Sequence, residues 1–392
     1  MHKGTAGLRQ FLWLCLWLAG AASFGAYADE TFGPRLVQED VRIPAGRYTI
    51  AATILRPDGA GPYGAVVLNH GTPGSATGRA RESSELLLHS AAVFARRGYV
   101  VVMPLRRGFG ATGGEFAEDP GTCANPDYRK GESAASDDVM AAYEYTRALP
   151  YVDGKRMILA GQSAGGIVSM YTAGTRNPEG LIAVLSFAAG RGGNPDFRPG
   201  VPCAIEPVAK LLESVGKTVK APVLLHYAEN DLYFNAQTSR LWYERFAAGG
   251  ARAEYVLQPA FGRDGHYMFS EVLGVRYWLP AVEQFLGKHG IPFERLDAKN
   301  PLQQVEHLPQ ARTDACRGLY RAFLESPGPR AYAFSGDGRC GFAGGLPDAA
   351  EVAVRECRIN AKEPCALYAV DEQVVWSPDR KGTIYAGGTA GK

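Results

Sequence analysis

The stretch RMILAGQSAGGIVSMY, Arg156 to Tyr171, decides how this chain is read: an apolar run, the pentapeptide Gly161-Gln162-Ser163-Ala164-Gly165, then the spacing of a buried helix. That order predicts a strand, a sharp turn and a helix, with a serine whose hydroxyl is pushed out at the end of a sheet. Glycines on both sides let neighbouring backbone approach a strained elbow that a β-carbon would obstruct. Similar pentapeptides occur in ordinary turns, so the reading depends on whether the rest of the chain supplies a base, an acid and oxyanion donors.

Outward from the elbow, buried runs alternate with helical spacing. Val37 to Pro57 reads as an antiparallel pair broken at Pro44-Ala45-Gly46, and AVVLNHG (Ala65 to Gly71) opens as a buried strand. A helix follows in Glu82 to Arg97, a strand in Tyr99 to Pro104, the glycine-rich loop Arg106 to Gly114, and a helix from about Ser136 to Leu149. Beyond the elbow come a strand at Leu181 to Phe187, a helix around Ile205 to Val215, a strand at Val223 to Tyr227, a helix around Thr238 to Ala248, a strand at Ala253 to Leu257 and a closing helix through Phe285. This predicts an α/β fold, a mostly parallel sheet with helices on both faces.

A serine hydroxyl needs an imidazole to take its proton, and the imidazole needs a carboxylate to fix its tautomer. On such a sheet the order is serine, acid, histidine, each in a loop at the carboxyl end of a strand. Asp231, after the strand ending at Tyr227, is the acid candidate, with Glu229 as fallback; His266 in Gly262-Arg263-Asp264-Gly265-His266 is the base. Among other histidines, His226 lies inside a strand, His289 at a helix end and His307 in a linker, while His89 precedes the serine. The oxyanion donors expected are the backbone N–H groups of Ala164, at the first turn of the helix, and of Thr72, in the loop after Asn69-His70-Gly71. His70 is read as a brace for that loop. Arg106 and Arg107 follow a buried strand and are read either as an anchor for a substrate carboxylate or as partners of acids in their own loop.

Asn69-His70-Gly71-Thr72-Pro73-Gly74, Arg107-Gly108-Phe109-Gly110, Gly161 to Gly165, Asn230-Asp231 and Gly265-His266 fall in the order seen in α/β-hydrolases. The set resembles the dienelactone-hydrolase-like branch over about Val37 to Gly287. Ser163 stands where dienelactone hydrolase proper has a cysteine, so the resemblance implies the α/β-hydrolase fold and an ester hydrolase, and leaves the dienelactone substrate aside.

Composition bounds the rest. The 392 residues are 46% hydrophobic and 21% charged, with 42 basic against 40 acidic side chains, which suits one large and one small domain. There is no basic field to call for nucleic acid, and the expected partner is a small-molecule ester. Lys3 and Arg9, the apolar run Phe11 to Gly20 and Ala26-Tyr27-Ala28 read as a secretory signal peptide over 1–28. The run is shorter than the roughly 20 residues of a spanning helix, so no stable membrane span is expected after its removal and the protein is expected in the periplasm or secreted.

Six cysteines follow the leader: Cys123, Cys203, Cys316, Cys340, Cys357 and Cys365. An even count in an exported chain favours disulfides. Cys123 and Cys203 lie in excursions that can leave one sheet edge, Cys357 and Cys365 flank a helix end and the next strand, and Cys316 and Cys340 are the remaining pair. No metal-ligand spacing is present, and neither a metal nor an organic cofactor is expected.

The reading divides the chain into the hydrolase domain at 29–298, a linker at 299–312, a small disulfide-stapled α+β module at 313–380 with one helix opened by Pro347-Asp348, and a glycine-rich tail at 381–392 expected to be disordered. Three functions compete: an esterase working through Ser163, a peptidase or amidase with the same triad, and a non-catalytic binding protein whose cysteine-rich module docks an envelope partner.

Overall fold

The computed structural model describes residues 35–297 and 313–376. The expected leader, linker and tail lie outside the described residues.

The first part of the chain runs β1 (Leu36–Ala45), β2 (Tyr48–Pro57), β3 (Tyr63–Asn69), α1 (Ala76–Ala80), α2 (Leu88–Ala95), β4 (Tyr99–Leu105), α3 (Tyr128–Arg147), β5 (Val152–Gln162), α4 (Ala164–Arg176), β6 (Leu181–Phe187), α5 (Ile205–Gly216), β7 (Val223–Ala228), α6 (Ala236–Ala248), β8 (Ala253–Gln258) and α7 (Val275–Lys288). The strands form one eight-stranded sheet in the order β1-β2-β4-β3-β5-β6-β7-β8. From β4 to β8 every neighbouring pair is parallel, and β2 joins β4 antiparallel. The α/β expectation is met, with the switch in strand order between β3 and β5, where parallel sheets open a crevice at their carboxyl ends.

Continuous apolar runs make the central strands because both faces are covered. In β3, Ala65 and Val67 enter one core while Val66 and Leu68 enter the other, and β5 splits the same way with Met157 and Leu159 against Ile158 and Ala160. Helix α3 starts at Tyr128, eight positions before the expected Ser136. Asp127 caps it by accepting from the Lys130 N–H, and Tyr128, Gly131 and Glu132 are buried. The polar sequence there conceals a helix because its buried carboxylate has an ionic partner in another loop.

The second part comprises α8 (Asp314–Glu325), β9 (Arg330–Ser335), β10 (Cys340–Gly344), α9 (Ala349–Arg358), β11 (Cys365–Val370) and β12 (Gln373–Val374), with an antiparallel sheet in the order β10-β9-β11-β12. Helix α8 and strand β10 are additions to the sequence reading. A β-carbon at Gly341 of β10 would sit 2.1 Å from the Ala353 carbonyl of α9, so the glycine that hides the strand in sequence is what lets the helix lie on it. No described helix is long and apolar enough to cross a membrane.

The two parts are joined by buried ions. Arg97 reaches Glu325 at the end of α8 at 2.9 and 3.1 Å, Arg295 reaches the same carboxylate at 2.9 Å, and Arg96 donates to the Ser326 carbonyl at 2.7 Å. Burial alone would raise the Glu325 pKa, but the guanidinium groups of Arg295 and Arg97 bring it down to about 2. A carboxylate depressed in the folded state adds stability that is complete above its ordinary value and is lost as pH falls through the folded one. Glu325→Gln is therefore expected to cost about 3 kcal/mol at pH 7 by urea unfolding, and the gap to the parent should close between pH 4.5 and about 2. A gap independent of pH in that window would contradict the ionic account.

Candidate active site

Ser163 follows β5 with φ 57° and ψ −123°, a left-handed conformation that a non-glycine residue keeps only under tertiary restraint. The restraint is backbone packing. A β-carbon at Gly165 would lie 2.1 Å from the Asn69 carbonyl oxygen, and one at Gly161 would lie 2.3 Å from the Gly165 carbonyl oxygen. The Ser163 N–H donates to the Phe187 carbonyl of β6 at 2.9 Å, and its own carbonyl accepts from the Gly166 N–H at 3.0 Å. The serine therefore stands at the N-terminus of α4, where unpaired N–H groups and the helix dipole favour negative charge.

Asp231 and His266 meet as the sequence order requires. His266 Nδ1 is 3.1 and 3.0 Å from the two carboxylate oxygens of Asp231, and both residues are buried. Asp231 Oδ1 also accepts from the N–H groups of Tyr233 and Phe234 at 2.8 and 2.9 Å, which fixes the carboxylate. The Gln162 amide donates to the His266 carbonyl at 2.6 Å and so ties the histidine loop to the residue before Ser163. Tyr233 stacks on the imidazole with centroids 4.0 Å apart. Asp264 caps the turn, accepting from the His266 N–H at 3.0 Å. With Asp231 accepting at Nδ1, the proton sits there and Nε2 is the basic nitrogen. The Ser163 hydroxyl makes no hydrogen bond to the imidazole in this structure; such bonds tighten when substrate is bound.

The loop after β3 brings Thr72, the second donor expected, close. A β-carbon at Gly71 would be 3.2 Å from Ser163 Cβ, and Thr72, Ser163 and Ala164 line one cavity. Among the described residues the N–H groups of Thr72 and Ala164 donate no hydrogen bond. His70 braces the loop: Nδ1 meets the Gly71 carbonyl at 2.6 Å and Nε2 accepts from the Arg106 N–H at 3.2 Å. Burial, helped by the nearby Arg106 charge, lowers the His70 pKa to about 3, so the ring stays neutral at ordinary pH.

Arg106 and Arg107 are both paired with carboxylates, the second of the two readings of them. Arg106 is fully buried, paired through Nε with Glu118 and donating from Nη1 to the His70 carbonyl at 3.0 Å; Arg107 is paired with Asp138 of α3 at 2.8 Å and lies over the Tyr48 ring. Neither lines the cavity. Each meets a buried carboxylate, which is tolerable there only when paired; Arg106 is buried with its partner, and Arg107 stays partly exposed.

Three arginines line the cavity, Arg79, Arg191 and Arg198. Of these Arg191 is buried, and the sequence reading passed over it although Gly190, Gly192 and Gly193 surround it after β6 as glycines surround the loop after β4. Arg191 reaches Glu132 at 2.5 Å, Glu118 at 3.0 Å and the Thr72 hydroxyl at 3.2 Å. Burial would raise both carboxylates. Glu118, between Arg106 and Arg191, is held down at about 2, whereas Glu132, with Oε2 unpartnered, is pushed up. Nothing in sequence marked Glu118.

The cavity has a volume of about 620 Å³ and runs from Ser163 past Arg79, Phe116, Tyr128 and Phe197. A larger hollow of about 1250 Å³ opens at the other end of the sheet, near Tyr63 and Tyr99 at the starts of β3 and β4, and is lined by none of Ser163, Asp231 and His266, of which Ser163 lines the first cavity. Disulfides join Cys123 to Cys203, Cys316 to Cys340 and Cys357 to Cys365, the pairs expected. The first ties the excursion after β4 to the one after β6, and both cysteines line the cavity. Among the described residues no group of three His, Cys, Asp or Glu is placed to hold a metal.

The profile of the prolyl oligopeptidase family matches residues 86–186. Solved structures similar to this chain include a protein from Klebsiella pneumoniae assigned as a dienelactone hydrolase, at 15% identity over 65% of this chain and 99% of that one, with a TM-score of 0.44. An acylaminoacyl peptidase from Pyrococcus horikoshii is 13% identical over 67% of this chain with a TM-score of 0.44, and the match spans 43% of that longer protein. Est1E from Butyrivibrio proteoclasticus is 14% identical over 64% of this chain and 98% of its own, with a TM-score of 0.43. No curated protein matches the chain significantly. Strand order, elbow and family match define the α/β-hydrolase fold, with a small disulfide-bearing module after it. The match to the prolyl oligopeptidase family profile supports a hydrolase function.

Exchange of both Cys123 and Cys203 for serine is expected to speed amide hydrogen exchange in residues 116–128 and 190–203 while leaving β3 to β7 as protected as before. Unchanged protection in both loops would show that the bridge does not hold the cavity wall.

Proposed function

We propose that this chain is an exported serine hydrolase that cleaves a small carboxylic ester through an acyl-enzyme on Ser163. The observation that carries the reading is the His266 Nδ1 to Asp231 pair beside a serine held at φ 57° on a helix N-terminus. The Ser163 Oγ attacks the carbonyl carbon while His266 Nε2 takes its proton, and the N–H groups of Ala164 and Thr72 receive the oxyanion. Collapse of the tetrahedral adduct breaks the ester bond, with His266 returning the proton to the leaving alcohol. Water, deprotonated by His266, then attacks the acyl group and frees the serine. No step calls on a metal or organic cofactor.

A cavity of about 620 Å³ suits a small molecule, and three disulfides together with the leader read from the sequence favour an oxidising compartment, the periplasm or the exterior. The family match favours a second reading, the same chemistry on an amide.

A fluorophosphonate probe is expected to label the parent and not Ser163→Ala, and His266→Ala should lower ester kcat by about a thousandfold or more. Equal labelling of parent and Ser163→Ala would end the reading. Short p-nitrophenyl esters against the matching p-nitroanilides separate esterase from amidase, and fractionation of expressing cells tests export.

A further inference from the structure

The N–H of Thr72 belongs to the same planar unit as the carbonyl of Gly71, and in a trans peptide the two point in opposite directions. His70 Nδ1 holds that carbonyl at 2.6 Å. On the other side of the unit, the Thr72 hydroxyl lies 3.3 Å from Glu118 Oε2 and 3.2 Å from Arg191 Nη1. Each of the three nitrogens of Arg191 is engaged, Nε by Glu132, Nη2 by Glu118 and Nη1 by Thr72, so this guanidinium clamps the loop while lining the cavity. Glu118 is in turn held by Arg106, whose Nη1 donates to the His70 carbonyl. The chain of charges Arg106, Glu118, Arg191 and Glu132 thus grips the loop on both sides of Gly71, and all four side chains are buried.

We propose that Glu118 and Arg191 are positioning residues that aim the Thr72 N–H at the oxyanion by holding the Thr72 hydroxyl. The inference rests on the serine-hydrolase reading above. Ionic hydrogen bonds shielded from water are stiff, and a donor misplaced by a fraction of an ångström loses most of its effect on a transition state. Glu118 belongs to the excursion after β4 and Arg191 to the one after β6, the two segments that Cys123 and Cys203 join. The second oxyanion donor is thereby set by the same loops that wall the substrate cavity.

The test is a double-mutant cycle on p-nitrophenyl ester hydrolysis with Thr72→Val, Arg191→Met and the two combined. Thr72→Val leaves every ion pair and the backbone N–H in place, so folding is not at stake. It is expected to lower kcat by about ten- to a hundredfold with KM within about twofold, and Thr72→Ser should restore most of the loss. The combined variant should be no slower than the worse single one, because both remove the same contact, that of Arg191 with the Thr72 hydroxyl. Affinity for a trifluoromethyl ketone, a mimic of the tetrahedral adduct, should fall in step with kcat/KM. Parental kcat in Thr72→Val, or losses that multiply in the combined variant, would overturn the proposal. A parent that neither hydrolyses esters nor takes up a fluorophosphonate would instead remove the hydrolase reading, and the clamp with it.

Discussion

Helix α4 begins where β3 ends, and the two meet backbone to backbone. The space at Gly165 is filled by the carbonyls of Asn69 and His70, and the space at Gly161 by the carbonyl of Gly165 itself. This contact holds Ser163 in a left-handed conformation, turns its side chain out of the sheet, and presents the first N–H of a helix beside it. It also brings the loop after β3 against the serine, so the proposed nucleophile and both proposed oxyanion donors follow from one close approach. Any β-carbon at either glycine would push α4 away from β3 and undo all three.

Around that contact the protein handles charge by pairing it out of water. The chain from Arg106 to Glu132 and the group of Arg97, Arg295 and Glu325 between the two parts follow the same rule: carboxylates that burial would neutralise stay ionised where two guanidinium groups flank them. Glu132, with one partner, shows the alternative. Near the serine this leaves a rigid loop and no free charge from Arg106 or Arg107. Between the two parts it makes the cysteine-rich module a packed neighbour of α2 and of the segment after α7, with Arg96 bonded to the backbone of Ser326.

Much of the site is legible because it is local. The elbow, the strand-end position of Asp231 and the loop position of His266 each occupy a few consecutive residues whose types are fixed by the turn they make. The disulfide pairs are legible for a similar reason, since Cys357 and Cys365 flank one turn and the others follow by placement of loops. Glu118 was invisible, and Arg191 nearly so, because their roles are defined by partners 73 positions apart in one case and 119 in the other. The early start of α3 was hidden for the same cause, as Glu132 reads as a solvent residue until Arg191 is opposite it. Strand β10 was missed because Gly341 and Gly344 lower strand propensity, and only the approach of α9 to the first and of Ser326, after α8, to the second explains them.

The sequence by itself determined the alternation of strands and helices, the sharp turn at Ser163 and the order of serine, acid and histidine, since periodicity and turn chemistry act over a few residues. Only the tertiary structure decided which carboxylates Arg106 and Arg107 meet, that Arg191 and not they reaches the cavity, and that the module is joined to the sheet by buried ions. A buried charge goes where its counter-charge is, and that partner is chosen by the folded backbone rather than by neighbours in the chain.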